Sequence, residues 1–323
     1  MKRKAKAMGA TQSNYSTSGP NMSSDTKLST GSSDEELFPV PLDILEEIFL
    51  NLPPDQVVHS CRLVCHEWKE VADRQSLWRE RCRREGYHLP DTSKTPKDWR
   101  LFYFLCKKRR NLIKNPRGER KCHKNSFIQH LVLLKPLFPA TNLTLQYNLS
   151  HNPHLFIFID KMKYWQILQN GGDMWKIEGL MVPHPDETVQ KNFVTSYGVC
   201  KKAQLIDLEK EGYNATFMDN IQPDIRISDW YAPRWDCGSE YNICVELLNK
   251  NKKPIQIFAP KTIYFEQWND QQWNQMTHVF QNYGPGVRYI HFSHGGKDTQ
   301  YWAGWYGIRV TNSCIEICPA ADT

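Results

Sequence analysis

GVRYIHFSHGGKDTQYWAGWYGIRVTNSCIEIC, residues 286–318, contains three strand-like runs and one glycine-rich loop. The runs GVRYIHF, GIRVT and CIEIC alternate or cluster apolar side chains, as half-buried strands do. The loop holds four large rings with few aliphatic neighbours: Tyr301, Trp302, Trp305 and Tyr306. This stretch therefore predicts strands joined by an end loop that carries aromatic side chains.

The same pattern of short apolar runs separated by turn residues extends over residues 164–319. The runs DIRISDW, YNICVELL, PIQIF and TIYF are separated by turn residues, and helical periodicity is nearly absent. Many short strands with Gly and Pro turns predict an antiparallel β-sandwich of jelly-roll type. In such folds the loops gather at the ends of the sandwich and present functional groups on a rigid support.

Exposed rings in such an end loop suit a ligand with a flat, apolar face. We expect Tyr301 and Trp302, which follow the polar run KDTQ, to be exposed, and Trp305 and Tyr306 to join the core. A pyranose such as N-acetylglucosamine has an apolar C–H face and a rim of hydroxyl and amide groups that needs directional partners. The turn-rich stretch DWYAPRWDCGSE, residues 229–240, supplies such partners.

The stretch FPVPLDILEEIFLNLPPDQ, residues 38–56, predicts short helices. Its apolar side chains recur at i, i+3, i+4 and i+7 on one helix face: Leu45, Ile48, Phe49 and Leu52. Pro53 ends this helix, Asp55 can cap a second helix that extends to Trp68, and Leu77 opens a third. Three short helices in about 45 residues bury little surface, so a partner is expected.

Three segments are not expected to form domains. Residues 1–36, rich in Ser, Thr, Asn and Gly, predict a disordered tail, and residues 320–323 form a short tail. Residues 119–163 form an atypical insert whose apolar runs fall short of the roughly 20 residues that a membrane span needs. We expect this insert to be disordered or a loop. Three explanations of it compete: a lineage-specific insert, a flexible loop, or translated non-coding sequence.

Residues 79–124 are strongly basic, with 16 Lys and Arg against 5 Asp and Glu. Within them, residues 85–118 predict a helical linker, because four side chains share one face: Trp99, Phe102, Tyr103 and Cys106. The cations that follow suit the C-terminal end of a helix dipole. We interpret the run as a solvated helix face, and nucleic-acid binding is the alternative.

The sequence gives little sign of catalysis, metal or cofactor binding. Its basic start runs into polar residues rather than an apolar core, so no signal peptide is predicted, and the 10 cysteines are expected to be reduced thiols. No CxxC pair offers zinc-ligand spacing, and no HExxH, GxSxG or P-loop motif occurs. A glycosidase would need two paired carboxylates, for which Asp229, Asp236 and Asp298 are the candidates. We expect a protein that is not an enzyme.

Residues 37–84 closely resemble an F-box. The motifs are VPLDILEEIFLNLP and, after it, CRLVCHEWKEVADRQSLWRERC. The resemblance implies docking onto the Skp adaptor of an SCF ubiquitin ligase, and through it onto a cullin scaffold and a RING subunit. It implies seven adaptor-binding residues: Pro41, Leu42, Leu45, Ile48, Phe49, Leu52 and Pro53. The alternative is that these side chains form only an internal core.

Residues 164–319 resemble the F-box-associated (FBA) domain of the lectin-type F-box only proteins. The stretches NGGDMWKIE, FVTSYGVCKKAQLIDL, PDIRISDWYAPRWDCG and HGGKDTQYWAGWYGIRVTNS carry the likeness. The resemblance implies six carbohydrate-binding residues: Tyr197, Arg234, Trp235, Asp236, Tyr301 and Trp302. Trp235 itself, Ala303 and Asn214 depart from the family pattern, which implies weaker or altered glycan binding.

The resemblance also implies a function. Such proteins present misfolded N-glycosylated proteins, recognised through the chitobiose of high-mannose chains, for ubiquitination after export from the endoplasmic reticulum. The expected chain is thus an α+β multidomain protein with a small all-α F-box, a helical linker and a β-sandwich, acting in the cytoplasm at the cytosolic face of that organelle. Two alternatives remain: a glycan-independent F-box receptor, and a nucleic-acid-binding protein.

Overall fold

The computed structural model describes residues 40–89, 95–119 and 162–320. The predicted tail 1–36, nearly all of the predicted insert 119–163 and most of the tail 320–323 lie outside these residues. The described chain forms a helical region followed by two antiparallel sheets. This architecture confirms the predicted fold class.

Short helices form the N-terminal region. They are α1 Leu42–Asn51, α2 Pro54–His59, α3 His66–Asp73, α4 Gln75–Arg84 and α5 Trp99–Lys108, with a 3-10 turn at Cys61–Leu63. Pro41 and Pro53 stand immediately before α1 and α2, where a fixed φ and a missing N–H cost nothing. The second helix predicted to reach Trp68 is wrong, because the chain turns after Ser60. That turn brings the Trp68 ring within 5.3 Å of the Phe49 ring.

Helices α1 to α5 enclose a small core around Trp78, which we call the helical core. The Trp78 ring is fully buried, and its Nε1 donates to the Ala72 carbonyl oxygen at 2.8 Å. Arg81 is buried as well, and its guanidinium donates to the carbonyl oxygens of Phe49 and Leu52. The last carbonyls of a helix lack partners within it, so Arg81 satisfies the end of α1.

The two sheets pack into a sandwich. In the first sheet the strands are, in spatial order, β1 Gln166–Asn170, β4 Cys200–Asp207, β10 Tyr289–Asp298, β6 Ser239–Leu248 and β7 Pro254–Phe258, with β8 Ile263–Phe265 also pairing β6. In the second they are β2 Lys176–Gly179, β3 Lys191–Val194, β11 Arg309–Cys318, β5 Asp224–Ala232 and β9 Asn274–Phe280. A short helix, α6 Ala215–Asn220, lies between β4 and β5. Burial alternates residue by residue along β6, as the two-residue period of a strand requires.

Helix α5 belongs to two cores. Phe102 and Tyr103 are buried in the helical core, whereas Leu105 is buried in the sandwich core. Among the described residues of the predicted linker 85–118, the helical ones are those of α5, which ends at Lys108. The helical region is therefore packed directly against the sandwich.

Residues 109–119, which we call the strap, run along the surface of the sandwich. The Leu112 N–H donates to the Ile315 carbonyl oxygen at 2.8 Å, and the Leu112 side chain enters the sandwich core. The basic side chains contact the sandwich through these pairs: Arg109–Glu316 at 2.6 Å, Arg110–Glu211 at 2.6 Å, Lys114–Glu211 at 3.0 Å, and Lys108 Nζ to the Gly212 carbonyl oxygen at 2.5 Å. The basic run thus has an intramolecular role, which weakens the nucleic-acid interpretation.

A buried polar cluster, which we call the Asp229 cluster, joins the two sheets. From β5, the Asp229 carboxylate accepts hydrogen bonds from Tyr241 Oη at 2.6 Å and Ser313 Oγ at 2.7 Å. It also lies 2.6 Å from Nδ1 of His294, whose Nε2 is 2.6 Å from Lys202 Nζ. Tyr241, His294 and Lys202 come from the first sheet, so the carboxylate ties one sheet to the other. Burial lowers the pKa of Lys202 well below its usual value.

Two glycines follow His294 in the central strand β10. A Cβ on Gly295 would collide with the Cys200 carbonyl oxygen of β4, and one on Gly296 would collide with the Glu240 carbonyl oxygen of β6. Only glycine therefore permits both neighbouring strands to approach here.

We predict that the sandwich loses stability as the pH falls from about 6.5 towards 4. Burial lowers the pKa of His294 to about 4, so the unfolded chain takes up a proton in this range that the folded chain resists. Unfolding free energy should therefore rise with pH, with His294 contributing on the order of 2 kcal/mol between pH 5 and 7. Urea unfolding, followed by tryptophan fluorescence at several pH values, measures this slope.

The His294→Asn variant isolates the contribution, because it should flatten the slope whatever its overall stability. Equal slopes for His294→Asn and the wild type contradict the prediction.

Candidate ligand-binding site

Five loops meet at one end of the sandwich. They connect β1 to β2, β3 to β4, β5 to β6, β8 to β9 and β10 to β11, and comprise residues 171–175, 195–199, 233–238, 266–273 and 299–308. Backbone hydrogen bonds join them: Asp298 N to Ser196 O at 3.0 Å, Thr299 N to Gly238 O at 2.9 Å, Gly307 N to Thr195 O at 3.2 Å and Asn269 N to Trp235 O at 3.1 Å. The strands thus bring distant parts of the sequence into one continuous surface.

The loop after β10 is fixed by a buried carboxylate. Asp298 Oδ1 accepts from the N–H of Gln300 at 3.0 Å and of Tyr301 at 2.6 Å, while burial raises the pKa of this carboxyl. Tyr301 has φ 57°, an uncommon value for a residue with a side chain. Its ring is 70% exposed and that of Trp302 is 39% exposed. Asp298 therefore holds the turn that presents both rings to solvent.

Trp302 connects to the loop between β5 and β6 through two contacts. Its ring meets the Tyr306 ring edge-on, with centroids 5.5 Å apart. The Arg234 guanidinium carbon lies 4.2 Å from the centre of the Tyr306 ring, and Arg234 Nε donates to Asp236 Oδ1 at 2.6 Å. The structure thus brings four of the six predicted carbohydrate-binding residues into one continuous arrangement: Trp302, Arg234, Asp236 and, through Asp298, Tyr301. Arg234 and Asp236 form an ion pair, and the Arg234 guanidinium packs on the Tyr306 ring.

The prediction that Trp305 and Tyr306 belong to the core is wrong, because both are only half-buried. Trp305 Nε1 donates to the Met174 carbonyl oxygen at 3.2 Å, and the Lys176 ammonium lies 4.4 Å from the Trp305 ring centre. Tyr306 supports Trp302 from the side. These two rings support the surface on which Tyr301 and Trp302 stand.

Tyr197 lies in the half-buried loop between β3 and β4. This loop contacts the β1–β2 loop so closely that a Cβ on Gly172 would lie 3.1 Å from the Tyr197 ring and 2.6 Å from Ser196 Oγ. Gly172 has φ 59°, which glycine adopts readily. Tyr197 thus lies in the loop whose Ser196 carbonyl oxygen accepts the Asp298 N–H, but among the described residues no ring contact joins it to Trp302.

Trp235 has a partner that sequence reasoning missed. It is 46% exposed and lies 5.1 Å, centroid to centroid, from Trp268, which is 66% exposed. The signal was the stretch EQWNDQQWN, residues 266–274, in which indoles alternate with amide side chains between two strands. Asn214, in contrast, caps α6 at the other end of the sandwich, with Oδ1 accepting from the Phe217 N–H at 2.9 Å. Its departure from the family pattern therefore has no direct effect on the loop surface.

A separate apolar surface lies on the helical region. The predicted adaptor-binding residues divide there: Leu45 and Phe49 are 2% and 0% exposed in the helical core, Leu42 and Leu52 are half-buried, and Pro41, Ile48 and Pro53 are exposed. Further exposed apolar side chains accompany them: Val40, Ile44, Leu63 and Val64. We call the exposed set the helical docking surface. Leu45 and Phe49 are buried and offer no contact area to a partner, so their role is to pack beneath this surface.

The chemistry of the loop end favours binding. Of the three carboxylates that a glycosidase would use, Asp229 and Asp298 are fully buried and Asp236 is paired with Arg234. Within the described residues no group of three or more His, Cys, Asp or Glu side chains is arranged to hold a metal ion. No helix in that part of the chain is long and apolar enough to span a membrane. What remains is a preorganised aromatic surface with hydrogen-bonding neighbours.

Comparison with known families matches both regions. The F-box-like family model covers residues 40–84, and the model of the F-box associated region, FBA, covers residues 103–317. The second match begins inside α5, which agrees with the contribution of α5 and the strap to the sandwich core.

Curated relatives resemble the chain over most of its length. F-box only protein 6 of Bos taurus is 42% identical over 86% of this chain and 91% of its own. F-box only protein 44 of Homo sapiens is 40% identical over 87% and 96%, and F-box only protein 2 of Bos taurus is 35% identical over 87% and 83%. The chain therefore belongs to the family of F-box only proteins that carry an FBA domain.

Proposed function

We propose that this F-box only protein captures N-linked glycoproteins through the chitobiose of high-mannose glycans and presents them to an SCF-type ubiquitin ligase for degradation after export from the endoplasmic reticulum. Its family supports the coarser part, a non-catalytic role in substrate recognition. The glycan specificity, the cytoplasmic site at the face of that organelle and the misfolded substrates belong to the proposal.

One observation carries the glycan part. Tyr301 and Trp302 are exposed side by side on a loop that Asp298 holds rigid. Exposed indole and phenol rings offer an apolar face for a pyranose together with N–H and O–H groups at the edge. Because the loop is already ordered, little conformational entropy is lost on binding.

The helical docking surface supports the ligase part. Its exposed apolar side chains are clustered on a region whose own core is small, and such patches mark interaction sites. The F-box implies the Skp adaptor as the partner, with cullin and RING subunit beyond it. The chain then acts by holding a substrate near the ligase, which raises the effective concentration of its lysines.

A second candidate is a receptor that recognises substrates without their glycans. It is favoured by Ala303, which is exposed in the ligand loop and offers only a methyl group next to Trp302. An alanine side chain neither donates nor accepts a hydrogen bond, and a sugar site that offers fewer hydrogen bonds binds its ligand more weakly. Substrate capture that survives enzymatic removal of glycans supports this candidate.

We predict that Trp302→Ala lowers affinity for N,N′-diacetylchitobiose at least about tenfold, because truncating a central aromatic hot spot costs about 2 kcal/mol or more. Calorimetric titration of the full chain measures the effect. Tyr164→Ala is the matched control, since Tyr164 is an exposed ring that precedes β1 at the opposite end of the sandwich. Unchanged affinity in Trp302→Ala, or an equal loss in both variants, rejects the site.

We predict that Ile48→Asp abolishes adaptor binding and leaves glycan binding intact, because a carboxylate at the centre of an apolar interface loses its hydration without gaining a partner. Co-purification with the adaptor measures the first property and glycan titration the second. Ile257→Asp, at an exposed isoleucine of β7, is the control and should retain the adaptor. Full adaptor binding by Ile48→Asp contradicts the placement of the docking surface.

A further inference from the structure

Trp235 and Trp268 form an exposed aromatic pair, of which only Trp235 is among the carbohydrate-binding residues that the family resemblance implies. The two indoles are inclined at 48° to each other and leave much of their faces open to solvent. Hydration of each exposed indole face is unfavourable in free energy because the face is apolar. The two inclined indole faces form a shallow wedge. An exposed aromatic pair on an ordered loop end is therefore a candidate ligand-binding surface.

The pair is preorganised by one side chain. Asn269 Nδ2 donates to the carbonyl oxygens of Arg234 and Glu266, both at 2.8 Å, and Asn269 Oδ1 accepts from the Gln271 N–H at 2.9 Å. These bonds pin the β8–β9 loop onto the β5–β6 loop. Trp268 and Gln271 have φ values of 63° and 57°, which are costly for residues with side chains. Such strain accumulates at ligand sites, where the surrounding structure holds it.

The pair is next to the Trp302 surface. Arg234, the residue before Trp235, lies against Tyr306, and Tyr306 contacts Trp302. Arg234 therefore connects the two aromatic surfaces, through Tyr306 on one side and through its neighbour Trp235 on the other. This continuity favours a longer part of one ligand over a separate molecule.

The surroundings of the pair suit a neutral, hydroxyl-rich ligand. Residues 266–274 contain no Lys or Arg, and five of the nine are amides: Gln267, Asn269, Gln271, Gln272 and Asn274. Glu266 and Asp270 add carboxylates that accept hydrogen bonds from hydroxyl groups and repel anions. Four of these amides already donate to backbone carbonyl oxygens: Gln267, Asn269, Gln272 and Asn274. The exposed carboxylates of Glu266 and Asp270 are therefore the groups that an apolar peptide segment would leave without partners, so a sugar is the better fit.

We infer that Trp235 and Trp268 form a second carbohydrate subsite that stacks a further pyranose residue of the same glycan, beyond the chitobiose. This inference rests on the proposed function. Trp302 then governs binding of the inner disaccharide, whereas the tryptophan pair adds affinity only for longer oligosaccharides.

The test compares two probes on the full chain by calorimetry, N,N′-diacetylchitobiose and the pentasaccharide Man3GlcNAc2. The wild type is expected to bind the pentasaccharide about tenfold more tightly than the disaccharide. Trp268→Ala should remove this advantage and leave disaccharide affinity unchanged, which also shows that the variant is folded. Asn269→Ala should reduce the advantage in the same direction, because it releases the loop, and Trp302→Ala should weaken both probes.

Each other outcome overturns the inference in a distinguishable way. If both probes bind but Trp268→Ala changes neither, or changes both alike, the second subsite is rejected while the proposed function stands. If Trp268→Ala instead weakens capture of an unfolded polypeptide without glycans, the pair is a peptide contact. If neither probe binds the wild type, the proposed function fails and the subsite with it.

Discussion

The carboxylate of Asp229 is the point at which the two sheets are held together. It accepts hydrogen bonds from both sheets in a site closed to water, where an unpaired charge would be strongly unfavourable. Its partners lie on β6, β10 and β11, the strands that lead into or out of the ligand loops. The relative position of the sheets, and hence of the loops that cross between them, depends on this cluster being complete.

Hydrogen-bonded polar side chains also order the loops that carry the aromatic rings. Asp298 satisfies the backbone of its own turn, and Asn269 ties a neighbouring loop to the chain at Arg234. Polar side chains that hydrogen-bond to the backbone of a loop specify one conformation of it, whereas apolar packing alone tolerates several. These two side chains therefore order the loop end in the free protein.

Much of the architecture could be predicted from the sequence. The alternating runs indicated a sandwich with loops at its ends, and the F-box and FBA motifs identified the family, both of which the structure and the comparisons confirm. The burial of aromatic side chains in the loops was harder to predict, because hydrophobic periodicity does not indicate whether a loop side chain is buried or exposed. Trp305 and Tyr306 were therefore placed wrongly, and the Trp235–Trp268 contact joins residues 33 positions apart that no local pattern connects.

The boundary between regions was also hidden from the sequence. Periodicity predicted a helical linker over residues 85–118 and composition marked residues 79–124 as basic, yet helix α5 contributes side chains to two cores and the strap is bound along β11. A connector built in this way cannot act as a hinge without breaking both cores. The packing of α5 into both cores therefore sets the separation between the loop end and the helical docking surface. If the proposed function holds, the substrate lysines nearest to the ligase are selected by their distance from the sugar attachment point and not by the fold of the substrate.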